Sequence, residues 1–524
     1  VVRANPLELD VGTAFVYLPQ SVQRREGDVP LVAGRDGLLR VYIAGGGPNF
    51  FEPRVRASFH RNGVEVHSAP MEPEVSSIPV AVDEGELKFS YDAAIPGSVL
   101  QPGTGLVIEV DPDGRVPASA SSELRVPAAG VLALDVRTVP PFQLRLVPVH
   151  QSTSGLQSRL DSSRMDAMTG LANDVFPFAE FDVDVRTPYT TTARLDTDEG
   201  WYDLIAEIAM LRLDDNSPRY YYGGFDRPTG TSILGLGYVA YPVSIGDDVR
   251  DETVAHEVGH NLNLLHAPCG GPSGPDPRFP YADGTVGHYG WNRQRERLIP
   301  PETYDLMSYC DPAWISDYNY ERVMEYRDTS AYDAAFEEAA TGRVLTPQQD
   351  VLVVQGGVHD GALRLRPALS LTAPPRLPNG GRYTLEGLDA DGAVLFTVSL
   401  EPRPLDHGGS VFLVALPEAT VQPARLAVLR LRGPEGMVER WRSGGRAAAP
   451  PELVLDGADP RAVFPEGRWD GAAYPLAVIR DRTTGRIVAM GRAGRLGLPG
   501  TDPGRLDVVL SDGIESHPAR LVRR

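Results

Sequence analysis

The chain has 524 residues, enough for three or four domains at roughly 150 residues each. Apolar residues at 42% and charged residues at 23% are ordinary globular values, and no run approaches the ~18 continuous apolar residues of a membrane span, which argues against a transmembrane or largely disordered chain. The net charge of −20 opposes DNA, RNA and anionic lipid surfaces, so neither nucleic acid nor membrane insertion is expected.

With 54 glycines and 47 prolines, the composition predicts many short strands joined by tight turns. Residues 8–148 alternate strand-like runs, such as 38–43 and 107–110, with Gly, Pro and Asp clusters, which predicts an antiparallel β-sandwich. The pattern then changes. A strand at 144–149, helical spacing over 154–173, a strand at 181–185, a helix at 201–213 and strands at 219–222 and 237–241 predict an α/β layer. After a helix near 318–326, strand-and-turn text resumes at 345, and residues 442–451 read as a linker. The predicted fold class is multidomain α+β: an N-terminal β-sandwich at 1–138, an α/β catalytic domain at 139–344, a β-sandwich at 345–445 and a small β-domain at 446–524.

The α/β segment contains His256, Glu257, His260, Asn263 and His266 in the pattern HExxHxxNxxH. On a helix, residues four apart share a face, so His256 and His260 can reach one cation. Glu257 points about 100° round the helix, which suits a general base beside a metal-activated water rather than a ligand. The chain must turn before His266 can join that face, and Asn263 accepts the left-handed conformation such a turn needs. Three imidazoles with an open fourth position make a catalytic zinc site rather than a closed structural one.

With the methionine of Tyr304-Asp305-Leu306-Met307-Ser308-Tyr309-Cys310 downstream, this pattern resembles the metzincin zinc metallopeptidases, with Asn263 in place of their glycine. The residues 307–318 look like those of large secreted bacterial metzincins, including mucin-directed ones. The resemblance covers roughly residues 140–335 and implies several roles. Met307 would floor the site, Tyr309 would stabilise an oxyanion, and the edge strand at Gly237, Tyr238, Val239 and Ala240 would pair with extended substrate. It would also bring Cys269 and Cys310 to one wall, where a disulfide is expected, with two free buried thiols as the alternative; thiolate ligation is set aside because three histidines are already present.

His288 is weighed as an extra ligand and set aside as an ordinary loop histidine. Asp276 and Asp283 offer oxygen ligands, but their spacing matches no EF-hand loop, so calcium stays possible and unassigned. Residues 1–6 show no basic and apolar export segment, so a mature or trimmed N-terminus is expected, and two pairable cysteines fit an oxidising, extracellular compartment. The expectation is a secreted zinc endopeptidase acting on a protein, peptide or glycoprotein, with a monomer favoured. The alternative is a catalytically weak, zinc-containing surface or glycan-binding protein that works through its β-domains.

Overall fold

The computed structural model describes residues 6, 8–24, 29–231, 233–329, 347–443, 450–455, 464–498 and 502–523. Strands dominate, in keeping with the glycine and proline content. Among the described residues the longer helices are α1 (Met165–Val175), α2 (Asp198–Asp214), α3 (Asp251–Asn261) and α4 (Asp317–Thr329). The predicted helix over 154–173 starts only at Met165, because Asp161 Oδ1 accepts from Ser163 N (2.8 Å) and Oγ (2.6 Å) in a local turn just before it. The chain divides into two compact units.

One unit comprises Val1–Phe142, Leu171–Asp182 and His266–Thr329. Its first part packs a three-stranded antiparallel sheet (Val11–Tyr17, Gly37–Gly45, Tyr91–Ile95) against a second sheet centred on Val55–Arg61 and Thr104–Val110. Alternation decides the facing sides: Leu39, Val41 and Ile43 share one core with Val55, Ala57, Phe59, Leu106 and Ile108. The later part is tied to this sandwich. Val22–Gln23 pairs with Tyr289–Asn292, and the indole of Trp314 donates to Ser21 O (2.9 Å). The fully buried Arg35 guanidinium donates to the carbonyls of Asp174, Phe176 and Phe178, satisfying a turn that would otherwise bury bare acceptors.

The other unit comprises Gln143–Gly170, Val183–Leu265 and Ser330–Arg524. Here Phe142–Gln151 pairs in parallel with Tyr189–Thr191 on one side and Tyr220–Phe225 on the other. Val243–Asp247 continues the parallel order, and Gly235–Gly237 closes that end antiparallel. Thr197 caps α2 by accepting from Gly200 N (3.2 Å), and the helix buries Trp201, Leu204, Ile205 and Ile208 in a core shared with Tyr221 and Ile245. The sheet does not end at Tyr189–Thr191. Thr190 and Thr191 pair in parallel with Ala489 and Met490, so Leu476–Asp481, Ile487–Arg492, Leu506–Ser511 and Ser516–Arg523 extend the same 13-stranded sheet. These strands were expected as a separate small domain. Residues 349–443 form two sheets around a core that includes Leu352, Val354, Leu385 and Leu429. The predicted boundary at 344/345, that at 445/446 and most of the 442–451 linker lie outside the described residues.

Candidate metal centre and active site

The strand Val243–Asp247 stops and α3 begins where Asp247 Oδ1 accepts from the backbone N–H groups of Val249 (3.0 Å) and Arg250 (2.9 Å). Buried Val254, Ala255 and Val258 turn one side of the helix inward. His256 and His260, one turn apart, bring their Nε2 atoms to 3.1 Å of each other. His260 Nδ1 lies 2.9 Å from Leu264 O. A carbonyl only accepts, so Nδ1 carries the proton and Nε2 presents its lone pair, the tautomer of a metal-ligating histidine. Asn263, at φ 69°, holds the left-handed conformation that ends the helix, with Leu264 N donating back to Gly259 O (3.0 Å). Asn261, which sequence reasoning missed, fixes this end of the helix: its side-chain amide donates to Tyr238 O and Val243 O, both at 3.0 Å.

Glu257 is 3% exposed and lies beneath the strand Gly235–Gly237. A Cβ on Gly235 would stand 2.1 Å from Glu257 Oε1, and one on Gly237 2.8 Å from Oε2, so the two missing side chains make the space this carboxylate fills. Burial first, then the carboxylates of Asp406 and Asp247, holds the Glu257 carboxyl well above the ordinary range. Its Oε2 finds no hydrogen-bond partner among the described residues. A divalent cation on the neighbouring imidazoles would offset that repulsion and favour the carboxylate, so the residues present fit a metal ion.

The strand predicted to pair with substrate ends at Gly237, because Ala240 takes φ 56° and donates its N–H to His260 O (3.0 Å). Its outer edge is already bonded within the chain. Gly237 N donates to Asp406 Oδ1 (2.8 Å), Tyr238 bridges Leu405 antiparallel, and Val239 N donates to Pro404 O (3.0 Å). The edge of Gly237, Tyr238, Val239 and Ala240 that the sequence reading assigns to substrate thus holds residues 404–406 of the same chain in this structure. Asp406, which the sequence did not single out, puts Oδ2 3.7 Å from His260 Nε2 and forms with Glu257 and His260 a group that could hold a metal.

In the other unit, His266 Nδ1 lies 2.7 Å from Ser273 O, which again leaves Nε2 with the lone pair, and the Tyr309 hydroxyl stands 3.3 Å from that nitrogen. Met307 is fully buried, its carbonyl accepting from Ala267 N (2.9 Å). Asp305 shapes this turn: it accepts from Met307 N (2.8 Å), Asn319 Nδ2 (2.9 Å) and Ser316 N (2.9 Å). Cys269 and Cys310 form a disulfide, and Tyr309 N donates to Cys269 O (3.0 Å) beside it. The two cysteines are 41 residues apart, so reduction is expected to lower stability by about 4 kcal/mol by loop entropy, measured as a fall in the denaturant midpoint with and without a reducing agent.

His288 faces Asp317 (3.6 Å) and the Tyr281 ring. Asp276 accepts from Tyr318 (2.8 Å) and Arg322 (2.7 Å), and Asp283 from Thr285 (2.9 Å), so each acid offered for calcium has protein donors. A further acidic and histidine group, Asp512, Glu515 and His517, is paired with Arg442 at 2.9 and 2.6 Å.

Residues 215–317, which include α3, the disulfide and Met307, match the model of the peptidase M66 family. No curated protein matches the chain. Among solved structures, a CARDB domain of a Pyrococcus furiosus protein is 13% identical, covering 26% of this chain and 99% of that one at a TM-score of 0.16. A β-glucuronidase of Bifidobacterium dentium is 15% identical over 41% of this chain and 38% of its own, at 0.15. A glycosyl hydrolase family 2 member of Bacteroides cellulosilyticus is 9% identical over 95% and 77%, at 0.16. At these scores none of the three bears on fold or function.

Proposed function

We propose that the chain is a secreted zinc endopeptidase that cleaves proteins or glycoproteins, with His256, His260 and His266 as ligands. The observation that carries this reading is Glu257: a buried carboxylate with an unmatched oxygen, one residue from a histidine whose Nε2 is 3.1 Å from that of its helical neighbour, within a segment of peptidase type. Neutral imidazoles suit zinc, and His266 follows Asn263 at the spacing that the turn allows. A zinc ion held there would supply Lewis acidity toward the scissile carbonyl and the attacking water. Glu257 takes a proton from the attacking water and returns it to the leaving amide nitrogen. Tyr309, 42% exposed, donates its hydroxyl to the developing oxyanion. The disulfide supports an oxidising, extracellular setting.

The purified chain is expected to bind one zinc, to cut a reduced, unfolded protein at sites read by mass spectrometry, to lose cutting on chelation and to regain it with added zinc. Stoichiometric zinc with no cutting under any condition, including in the Asp406 variants below, would point instead to a zinc-containing binding protein.

A further inference from the structure

We propose that residues 403–407 are a built-in pseudosubstrate: the segment occupies the strand edge where a protein substrate would pair, and Asp406 takes the open position of the metal. This inference rests on the zinc reading above and adds a latent state to it.

The segment lies on the edge as an extended ligand would. Val239 N donates to Pro404 O (3.0 Å) and Asp406 N to Gly237 O (3.2 Å), the alternating backbone bonds of an antiparallel strand, with Tyr238 opposite Leu405. Arg403 extends the contact, its guanidinium 3.3 Å from Ala240 O and 5.5 Å from the centre of the Tyr241 ring. Leu405 is 4% exposed, in one core with Leu236 and Tyr238, which sets the register. Proline at 402 and 404 presets an extended backbone.

That register delivers Asp406 to the reacting centre. Its side chain is fully buried, its Oδ2 is 3.7 Å from His260 Nε2, and ligand atoms of Glu257, His260 and Asp406 all lie within 4.8 Å of one another. Its Oδ1 accepts from Gly237 N (2.8 Å), and its Oδ2 has His407 Nε2 at 3.3 Å besides the imidazole of His260. A second acid buried beside Glu257 is unfavourable by burial and by like charge, and a divalent cation between the two carboxylates would offset both costs. Asp406 as fourth ligand converts an open catalytic shell into a closed one.

The segment also has a hinge. Gly408 (φ 91°) and Gly409 (φ 72°) turn the chain immediately after it, held by Tyr202, whose hydroxyl donates to Gly408 O (2.7 Å). A substrate strand would compete for the same groups of Gly237 and Val239, so it engages only when 403–407 withdraws.

The test uses the zinc-loaded full chain, with Asp406→Ala and the near-isosteric Asp406→Asn, which keeps an acceptor for Gly237. Zinc content is measured first, with His256→Ala as control. Acetohydroxamate, a small zinc chelator, is then titrated calorimetrically, and amide exchange is followed at Val239. Expected results are unchanged zinc, acetohydroxamate affinity at least about tenfold higher in both variants, faster exchange at Val239 in Asp406→Ala, and a parallel rise in cutting of unfolded protein. Equal affinity in parent and variants, with zinc bound, would overturn the pseudosubstrate and leave the zinc reading standing. So would loss of zinc from Asp406→Asn, which would make Asp406 a retaining ligand instead. Absence of zinc from the parent, unaffected by His256→Ala, would overturn the zinc reading itself, a failure visible before acetohydroxamate is added.

Discussion

Glu257→Gln is expected to keep one zinc per chain and to lose turnover by about 10²–10⁴-fold. Glutamine matches glutamate in volume, so it fits the space left by Gly235 and Gly237 without moving either glycine. The histidine geometry depends on Leu264 O and Ser273 O, which the substitution does not touch. What disappears is a proton acceptor at a buried oxygen, Glu257 Oε2, that has no hydrogen-bond partner among the described residues. Metal analysis and turnover on an unfolded protein, compared in the parent and in the Asp406→Asn background, separate the two effects. Near-normal turnover in either background would remove Glu257 as the base, while loss of zinc would make its role structural.

Arg186→Ala is expected to lower stability by about 5 kcal/mol, read from urea midpoints at neutral pH. Arg186 and Asp215 both have fully buried side chains and form a two-armed pair at 2.8 and 3.0 Å, and Arg186 also donates to Ile487 O (2.8 Å). Truncating the arginine leaves a buried carboxylate with only the Tyr221 hydroxyl (2.8 Å) and more distant guanidiniums. Burial by itself pushes the Asp215 carboxyl up, but Arg186, Tyr221 and Arg486 together hold it below its ordinary value of 3.8. With a depressed folded value, its stabilising contribution is present above pH ~4 and is lost as pH falls through the lowered value. The parent is therefore expected to lose this increment in acid below pH 3.8, and Arg186→Ala to show a shallower loss there. A midpoint shift under 1 kcal/mol at neutral pH would show that the pair is replaced by water or by Arg145 and Arg486.

What the sequence makes legible is local. Two histidines four apart, a glutamate between them and an asparagine at the turn are consequences of helical geometry over a dozen residues, and Asn263 adopts the left-handed backbone its type allows. The disulfide stays ambiguous in the sequence because two cysteines satisfy a bridge, two thiols or a metal equally well until their backbones are placed. Asp406 leaves no local signal. It meets Gly237 across 169 residues of sequence, and its segment reads as any Pro-rich turn. The edge strand was legible as extended chain, but not the identity of its partner, because a strand's pattern records which face is buried and not what bonds its edge. For the same reason Ile487–Arg492 reads as a strand of a separate domain, although its neighbour is Tyr189–Thr191.

That last pairing sets the order in which the protein can be made. Arg492 N bonds Thr192 Oγ1 across 300 residues, so a ribosome that has finished α3 has yet to synthesise the strand that covers this side of the sheet. Until then Tyr189–Thr191 carries bare backbone donors and acceptors, the kind of edge that recruits other chains. The nascent chain needs a holding partner or a late, slow closure of the sheet. Truncation before residue 487 should yield aggregates even though His256, His260 and His266 are all present.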